Sequence, residues 1–547
     1  MPARLLRLPA MRPLLAAAVL AVGLGGLAAS RMAAADNTSN YPAASLSAPT
    51  DQTALIARGK YLVTAADCMP CHTGPGHAPF SGGLVMQTPF GGLTTPNITP
   101  DKETGIGNWT DKQFYAALHD GVSPGRAFLV FPKYLYPAMP FTSYTKLSYP
   151  DVMAIKAYLN SLAPVHAPRI PNSLKFPFNE RPVLLGWRML FFKSGPMRMD
   201  PSWDEHMKNG AYLTEALGHC GECHTPRNLM QATISSKAYA GAPIDNLFAP
   251  NISSDKTYGV GGWSQADLVA YLHDDGNLVK GSPYGAMGDM TDHSTSLLPV
   301  SDVQDIADYL QNGTKPQTTP PAPAITNADA SIARGQKLYT ANCAGCHGAT
   351  GGGMPPRFVP NLAGNGSVTA EQPYNVIGAV LAGLDSWADH GPKMPAFGAK
   401  LSDQEIADIT NYARTAWGNK GSADATPADV MKLRGVGNLP PIAGQAADKL
   451  GCPRVSPAGG PTTVADPGNG LLNIYQGANA ATLPNRTREL ITAVRANNSS
   501  ISNAELTNTL VAAYCPVLAN TPGMSLSDKQ SALKDFIAAA QQLIAAH

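Results

Sequence analysis

The chain alternates short amphipathic stretches with segments rich in glycine and proline, and apolar positions recur at helical spacing in three places of similar design. Each opens on a glycine-led helix: Gly59-Lys60-Tyr61-Leu62, Gly210-Ala211-Tyr212-Leu213 and Gly335-Gln336-Lys337-Leu338-Tyr339. Each closes on a serine behind an apolar residue: Leu147-Ser148 with Asp151, Val300-Ser301 with Gln304, and Leu401-Ser402 with Glu405. That is the pattern of a capping box, in which serine accepts from the N3 amide and the N3 side chain returns the bond. The helices that follow place Ile155, Tyr158 and Leu159, then Ile306, Tyr309 and Leu310, then Ile409 and Tyr412, on one face. One such helix is ordinary. The same order three times predicts a repeated unit in which an initial helix crosses a final one, glycine allowing the close approach.

Beyond the third unit, helical patterns run from Arg486 to Asn497, Leu506 to Leu518 and Asp528 to Ala546, the last with Leu533, Phe536, Ile537, Ala540 and Ile544 on one face. That face predicts packing within the tail, or a membrane-lying or partner-docking surface. At the other end Arg4, Arg7 and Arg12 precede an apolar run from Leu14 to Ala29 and then Ala33-Ala34-Ala35. This reads as a cleaved secretory leader over residues 1–35, with a retained N-terminal anchor as the alternative. Later apolar stretches such as Val183 to Phe192 fall short of the about 20 residues a spanning helix needs.

Composition narrows the classes. At about 150 residues per domain, 547 residues predict three or four domains. With 40 Lys+Arg against 39 Asp+Glu there is no basic excess for nucleic acid, and 44% hydrophobic content is too low for a polytopic membrane protein.

The eight cysteines carry the chemistry. Six fall into CxxCH pentads: Cys68-Met69-Pro70-Cys71-His72, Cys220-Gly221-Glu222-Cys223-His224 and Cys343-Ala344-Gly345-Cys346-His347. Two thiols three positions apart suit the two vinyl groups of one porphyrin, and the next imidazole meets the iron, so each pentad predicts covalent c-type haem attachment. Structural zinc would want a second ligand pair near each first one, and a bare disulfide has no need of histidine at the fifth position. The expected cofactor is three haem c groups, with His72, His224 and His347 as proximal iron ligands.

Distal methionines raise a haem's potential. Met139 in Pro-Ala-Met139-Pro, Met287 in Tyr-Gly-Ala-Met287 and Met394 in Pro-Lys-Met394-Pro stand just upstream of the closing serines and are the candidate sixth ligands, with Met290 a close competitor of Met287. Between histidine and methionine, Pro96-Asn97-Ile98, Pro250-Asn251-Ile252 and Pro360-Asn361-Leu362 recur. The proline carbonyl can accept the second imidazole N–H and fix the ring, and a generic Pro-Asn turn is the plainer reading. The predicted fold is mainly α, with three tandem mono-haem cytochrome c domains at 51–170, 200–315 and 329–420. A connector at 171–199, a Pro-rich linker at 316–328 and an extension at 421–547 complete the chain.

Residues 50 to 420 together resemble the tri-haem cytochrome c subunits of membrane-bound, quinone-reducing dehydrogenases of acetic acid bacteria, acting on alcohols, aldehydes, gluconate or sorbitol. The first two units share Pro-Asn-Ile, from Pro96 and from Pro250, then Gly-x-Gly-x-Trp ending at Trp109 and Trp263, then Leu118-His119-Asp120-Gly121 and Leu272-His273-Asp274. Asp292-His293-Ser294 and Lys393-Met394-Pro395-Ala396-Phe397 add to the likeness. The resemblance implies an electron-transfer subunit with no substrate-oxidising site of its own. It implies a catalytic partner bearing pyrroloquinoline quinone, flavin or molybdopterin, ubiquinone as acceptor, and a place on the periplasmic face of the cytoplasmic membrane with peripheral contact only.

The contact surfaces expected, in order, are Phe128 to Phe141, Val183 to Phe192 and the helix around Phe536. A multihaem peroxidase or sulfur-compound oxidoreductase, and a soluble electron shuttle, are the alternatives. The chain departs from the resemblance after about residue 420, where Cys452 and Cys515, without a histidine at the pentad position, predict a disulfide in an oxidising compartment.

Overall fold

The computed structural model describes residues 41–127, 131–244, 246–274, 276–277, 279–354, 359–384 and 393–435. In the tail it describes 454–456, 463–465, 471, 474–475, 478, 482–499, 501–519, 524 and 526–546. The leader sequence and Cys452 lie outside the described residues.

The fold is mainly α. The first segment holds α1 (Gln52–Ala65), α2 (Asp111–His119) and α3 (Tyr149–Ser161), and α4 (Val183–Phe191) follows in the connector. The second holds α5 (Glu205–Tyr212), α6 (Gln265–His273), α7 (Ala286–His293) and α8 (Val300–Asp308). The third holds α9 (Ala328–Asn342), α10 (Tyr374–Ala382) and α11 (Asp403–Thr415), and the tail α12 (Leu483–Asn497), α13 (Asn503–Ala519) and α14 (Leu526–Ala546). Strands are short: β1 (Val85–Thr88), β2 (Gly91–Thr94) and β3 (Ser173–Leu174) form one antiparallel sheet in which β3 brings the connector back onto the first segment.

Three helix crossings organise the molecule, and each is set by one glycine. A Cβ on Gly59 of α1 would lie 2.0 Å from the Ala154 carbonyl oxygen of α3 and 2.8 Å from Tyr158 Cβ. On Gly210 of α5 it would meet the Asp305 oxygen at 2.0 Å and Tyr309 Cβ at 3.0 Å, and on Gly335 of α9 the Asp408 oxygen at 2.0 Å and Tyr412 Cβ at 2.9 Å. The glycines and tyrosines that recur in the sequence are therefore the contact points, and a side chain at any of these glycines would push backbone off backbone.

The caps hold in part. Ser402 and Glu405 form the reciprocal box at α11. At α3, Ser148 Oγ accepts from the Asp151 amide at 3.2 Å, but the return bond is missing because the Asp151 carboxylate is taken by Arg58 at 3.0 and 3.2 Å. The Tyr212 hydroxyl donates to the same carboxylate at 2.9 Å and accepts from the Ser148 amide at 3.1 Å. At α8 the expected box is wrong. The helix starts upstream, with Pro299 as its N-cap and Ser301 already inside, since proline supplies the preset φ and leaves the Asp302 carboxylate for Tyr61 at 2.8 Å and Asn209 at 3.0 Å.

Tyr61 and Tyr212 each stand two residues after their crossing glycine, and Asp302 and Asp151 each stand three residues before the residue that glycine touches. Each of the first two segments thus gives a tyrosine to the other's aspartate, an approximately two-fold exchange. Lys337 and Glu405 hold these places in the third segment. Accordingly the first two segments, expected as separate domains, share one continuous core from Tyr41 to Leu310, while the third packs around Ile377, Ile406 and Ile409.

Of the three expected contact surfaces one is buried, while in the first Phe131 to Pro140 stay partly exposed and only the last residue is closed off. Phe141 is fully buried against Phe192, and residues 128–130 lie outside the described set. The apolar face of α14, including Phe536, packs with Leu490, Leu510 and Cys515 into the tail's own core. Of these surfaces α4 is the most open among the described residues, with Met189 and Leu190 69% and 74% exposed. Among the described residues no helix is long and apolar enough to cross a membrane.

Candidate haem sites

Each pentad follows the end of a crossing helix, so its position is fixed by that crossing. In the first two, the residue before the first cysteine turns the chain through the left-handed region, Asp67 at φ 48° and His219 at φ 39°. Single helical turns then hold Cys68–Cys71, Gly221–His224 and Ala344–His347, placing the two thiols of each pentad one turn apart on one side.

The proline carbonyls do accept from the imidazoles. His72 Nδ1 donates to the Pro96 carbonyl at 2.8 Å and His224 Nδ1 to that of Pro250 at 2.6 Å. A carbonyl can only accept, so the proton sits on Nδ1 and Nε2 keeps its lone pair for a metal. Burial holds both histidines below the ordinary imidazole pKa, which keeps them neutral. His347 departs from this: its Nδ1 is buried without a hydrogen bond, although the Pro360 carbonyl still draws its pKa up against burial.

A second support was missed by the sequence reading. Gly82 N–H donates to the His72 carbonyl at 2.7 Å, Gly241 N–H to that of His224 at 2.9 Å and Gly353 N–H to that of His347 at 3.0 Å. All three have positive φ, and a Cβ would strike the Pro-Asn turn, meeting the Pro96 carbonyl carbon at 2.5 Å, the Asn251 nitrogen at 3.0 Å and the Pro360 carbonyl carbon at 2.8 Å. These glycines lie at unequal distances from their histidines, so no period reveals them. The Pro-Asn recurrence is also more than a turn. Asn97 Oδ1 accepts from the Thr99 amide at 2.8 Å while its Nδ2 reaches the Val165 carbonyl at 2.7 Å, and Asn251 joins Ser253 to Gln317 in the same way, at 2.9 and 2.5 Å.

A cavity of about 2670 Å³ is lined by Cys68, Cys71, His72 and Met139 and equally by Cys220, Cys223, His224 and Met287. The first and second candidate sites therefore open into one space. The Cys71 thiol is pushed up to about 12, by burial first and then by Asp67 and Cys223, so the two pentads lie within electrostatic reach of each other. Met290 also lines the cavity, but its sulfur accepts from the Thr295 hydroxyl at 3.9 Å, whereas Met287 Sδ has no polar contact among the described residues. Cys343, Cys346, His347 and Met394 do not line this cavity. Met394 pairs with Leu384 through both backbone bonds, at 2.8 and 3.0 Å, and packs beside Cys343 in the third core. Thiols one turn apart, a tautomer-locked imidazole and an apolar cavity fit a covalently held haem, and no group of three acidic, His or Cys side chains suited to a bare ion exists among the described residues.

Comparison with known proteins agrees. Residues 332–417 match the family described as Cytochrome c. The chain is 34% identical over 410 residues to the cytochrome c subunit of the quinone alcohol dehydrogenase of Gluconacetobacter polyoxogenes, covering 71% of this chain and 86% of that one. It is 35% identical over 417 residues to the fructose dehydrogenase cytochrome subunit of Gluconobacter japonicus, covering 71% and 84%. A diheme cytochrome c-type protein of Cereibacter sphaeroides is 38% identical over 265 residues, 47% of this chain and 84% of that protein.

Proposed function

The chain belongs to the family of cytochrome c subunits of quinone-dependent dehydrogenases, and from that premise we propose that it carries electrons through three covalently bound haem c groups, from a catalytic dehydrogenase subunit to ubiquinone. The observation that carries this reading is the shared cavity, in which two carbonyl-locked imidazoles and two thiol pairs stand together. Cys68, Cys71 and His72 would hold the first haem, Cys220, Cys223 and His224 the second, and Cys343, Cys346 and His347 the third, in three tandem cytochrome c domains. Met139, Met287 and Met394 would supply the distal sulfurs. Bound haem supplies one-electron chemistry at the iron. The protein's part is to hold the protons of His72 and His224 on Nδ1, to exclude water with apolar walls, and to keep the first two groups adjacent.

The catalytic partner would carry pyrroloquinoline quinone, flavin or molybdopterin. The reading further places the mature protein outside the cytoplasm, on the periplasmic face of the membrane, with α4 as its peripheral contact because that helix exposes Met189 and Leu190. The test is to purify the chain with its partner, count haems by intact mass, and assay reduction of a short-chain ubiquinone by the partner's substrate. Three haems per chain and quinone reduction are expected. Two haems or fewer, or reduction of soluble cytochrome alone, would overturn it.

The tail reads as a separately packed extension closed by a Cys452–Cys515 disulfide. Support comes from Cys515, which sits fully buried in the tail core with its sulfur bonded rather than free. A chain-entropy estimate for such a loop is about 4 kcal/mol. Alkylating the denatured, unreduced protein should label neither cysteine, and labelling of both would refute the bridge.

A further inference from the structure

Glu371, from the third segment, is an anomaly of charge. It is 7% exposed and lines the cavity that holds His224, and neither carboxyl oxygen has a hydrogen bond. Most of the guanidinium beside it is committed elsewhere, with Nη2 left without a hydrogen bond. Arg414 is fully buried, pairs with Asp424 at 3.1 Å, and donates from Nη1 to the carbonyls of Val368, Ala370 and Gln372 at 3.1, 2.9 and 3.1 Å. Two buried carboxyl groups thus share one buried cation, and Glu371 is the one left without a bond.

What Glu371 faces is the peptide between Pro250 and Asn251. The carbonyl of that peptide accepts from His224 Nδ1 at 2.6 Å. Its N–H, which has no other acceptor among the described residues, lies near enough to the Glu371 carboxyl to favour its charged form without a formed hydrogen bond, behind the glutamate's own amide and ahead of Arg414. One polarisable peptide unit therefore stands between the imidazole of the second site and a buried carboxyl group, much as a carboxylate orients a metal-bound histidine directly elsewhere. At the first site the loop carboxylate Asp101 is already bonded to the Glu103 amide and to the Thr104 amide and hydroxyl, and the buried carboxyl there, Asp67, adjoins Cys68 and not the Pro96–Asn97 peptide.

We propose that Glu371 is the proton-linked group of the second site, taking one proton from solvent when one electron enters that site, and so coupling its reduction potential to pH. This rests on the reading that His224 ligates a haem. The sign follows from charge: an added electron removes positive charge from the histidine end of the peptide, the carboxylate loses that stabilisation, and its protonated form gains. Burial is the largest influence on Glu371 and raises it to about 7, with its own amide, then Asn251 and Arg414, opposing, so the exchange falls near neutral pH. The charged groups that face it among the described residues are Arg414 and, through Arg414, Asp424.

The experiment is a spectroelectrochemical titration of the purified complex between pH 5.5 and 8.5, for the natural chain and for Glu371→Gln. In the natural chain one haem's midpoint should fall as pH rises, approaching a tenfold change in the reduction equilibrium per tenfold change in proton concentration, or about 59 mV. Glu371→Gln should flatten that one slope and leave the others unchanged. Identical pH dependence in the two proteins would overturn the proposal. Redox-difference infrared spectra of the natural chain, which need no variant, should show a buried carboxylic C=O band appearing on reduction and lost in Glu371→Gln, and absence of that band in the natural chain would overturn it equally. Intact mass separates failure of the underlying reading, a missing second haem, from failure of this one.

Discussion

A valine in place of Gly335 is expected to strip the third haem from the protein. The β-carbon alone would sit 2.0 Å from the Asp408 carbonyl oxygen and 2.9 Å from Tyr412 Cβ, both anchored on α11, so neither neighbour can swing aside. Relief requires α9 and α11 to separate, and α9 runs directly into Cys343 and the pentad. Overpacking of a closed contact costs about 1–3 kcal/mol, and a backbone-to-backbone clash belongs at or above the top of that range, against a domain stability of about 5–15 kcal/mol. Pyridine haemochrome content should fall by about one third, with a lower melting temperature. Gly345→Ala, inside the pentad but with nothing within 4 Å of its added carbon, should keep full haem content. Equal haem loading in both variants would refute the argument.

The second large effect is expected at Arg414. Arg414→Met removes the one cation paired with buried Asp424 among the described residues and leaves the carbonyls of Val368, Ala370 and Gln372 without their donor. Breaking one side of a buried pair costs about 3–5 kcal/mol, because the remaining charge stays desolvated. Denaturant unfolding should show a loss of that order. Adding Asp424→Asn to Arg414→Met should recover part of it, since the paired position then carries no uncompensated charge. A double variant no more stable than the single one would place the loss in packing instead.

The crossings and the pentads were legible in the sequence because each depends on a residue type that recurs in fixed order: a glycine before the cysteines, a tyrosine in the closing helix, a proline ahead of asparagine. The features that escaped are those fixed by long-range partners. Gly82, Gly241 and Gly353 do one job at unequal chain distances, so only the folded backbone aligns them. Ser301 misled because Pro299 starts the helix earlier, and the Ser148 box is open because Arg58 takes the Asp151 carboxylate while Tyr212, from another segment, takes the Ser148 amide. The sequence also treats His347 as the twin of His72, yet its Nδ1 ends without the proline bond. Glu371 was invisible for a simpler reason: a glutamate acquires its chemistry only from burial.

The tyrosine exchange between the first two segments has an evolutionary reading. A surface on which Tyr61 reaches Asp302 while Tyr212 reaches Asp151 is one that recognises its own copy, which is the requirement for a homodimer with two-fold symmetry. Fusing two such copies in one chain fixes the partner at high effective concentration, so the interface no longer has to assemble by diffusion. Fusion also frees the halves to diverge. Arg58 beside Gly59 answers to Asn209 beside Gly210, and only the first keeps the ion pair with Asp151. The first two segments can be described as a tethered, half-diverged dimer, followed in the chain by a third unit with Lys337 in place of that tyrosine.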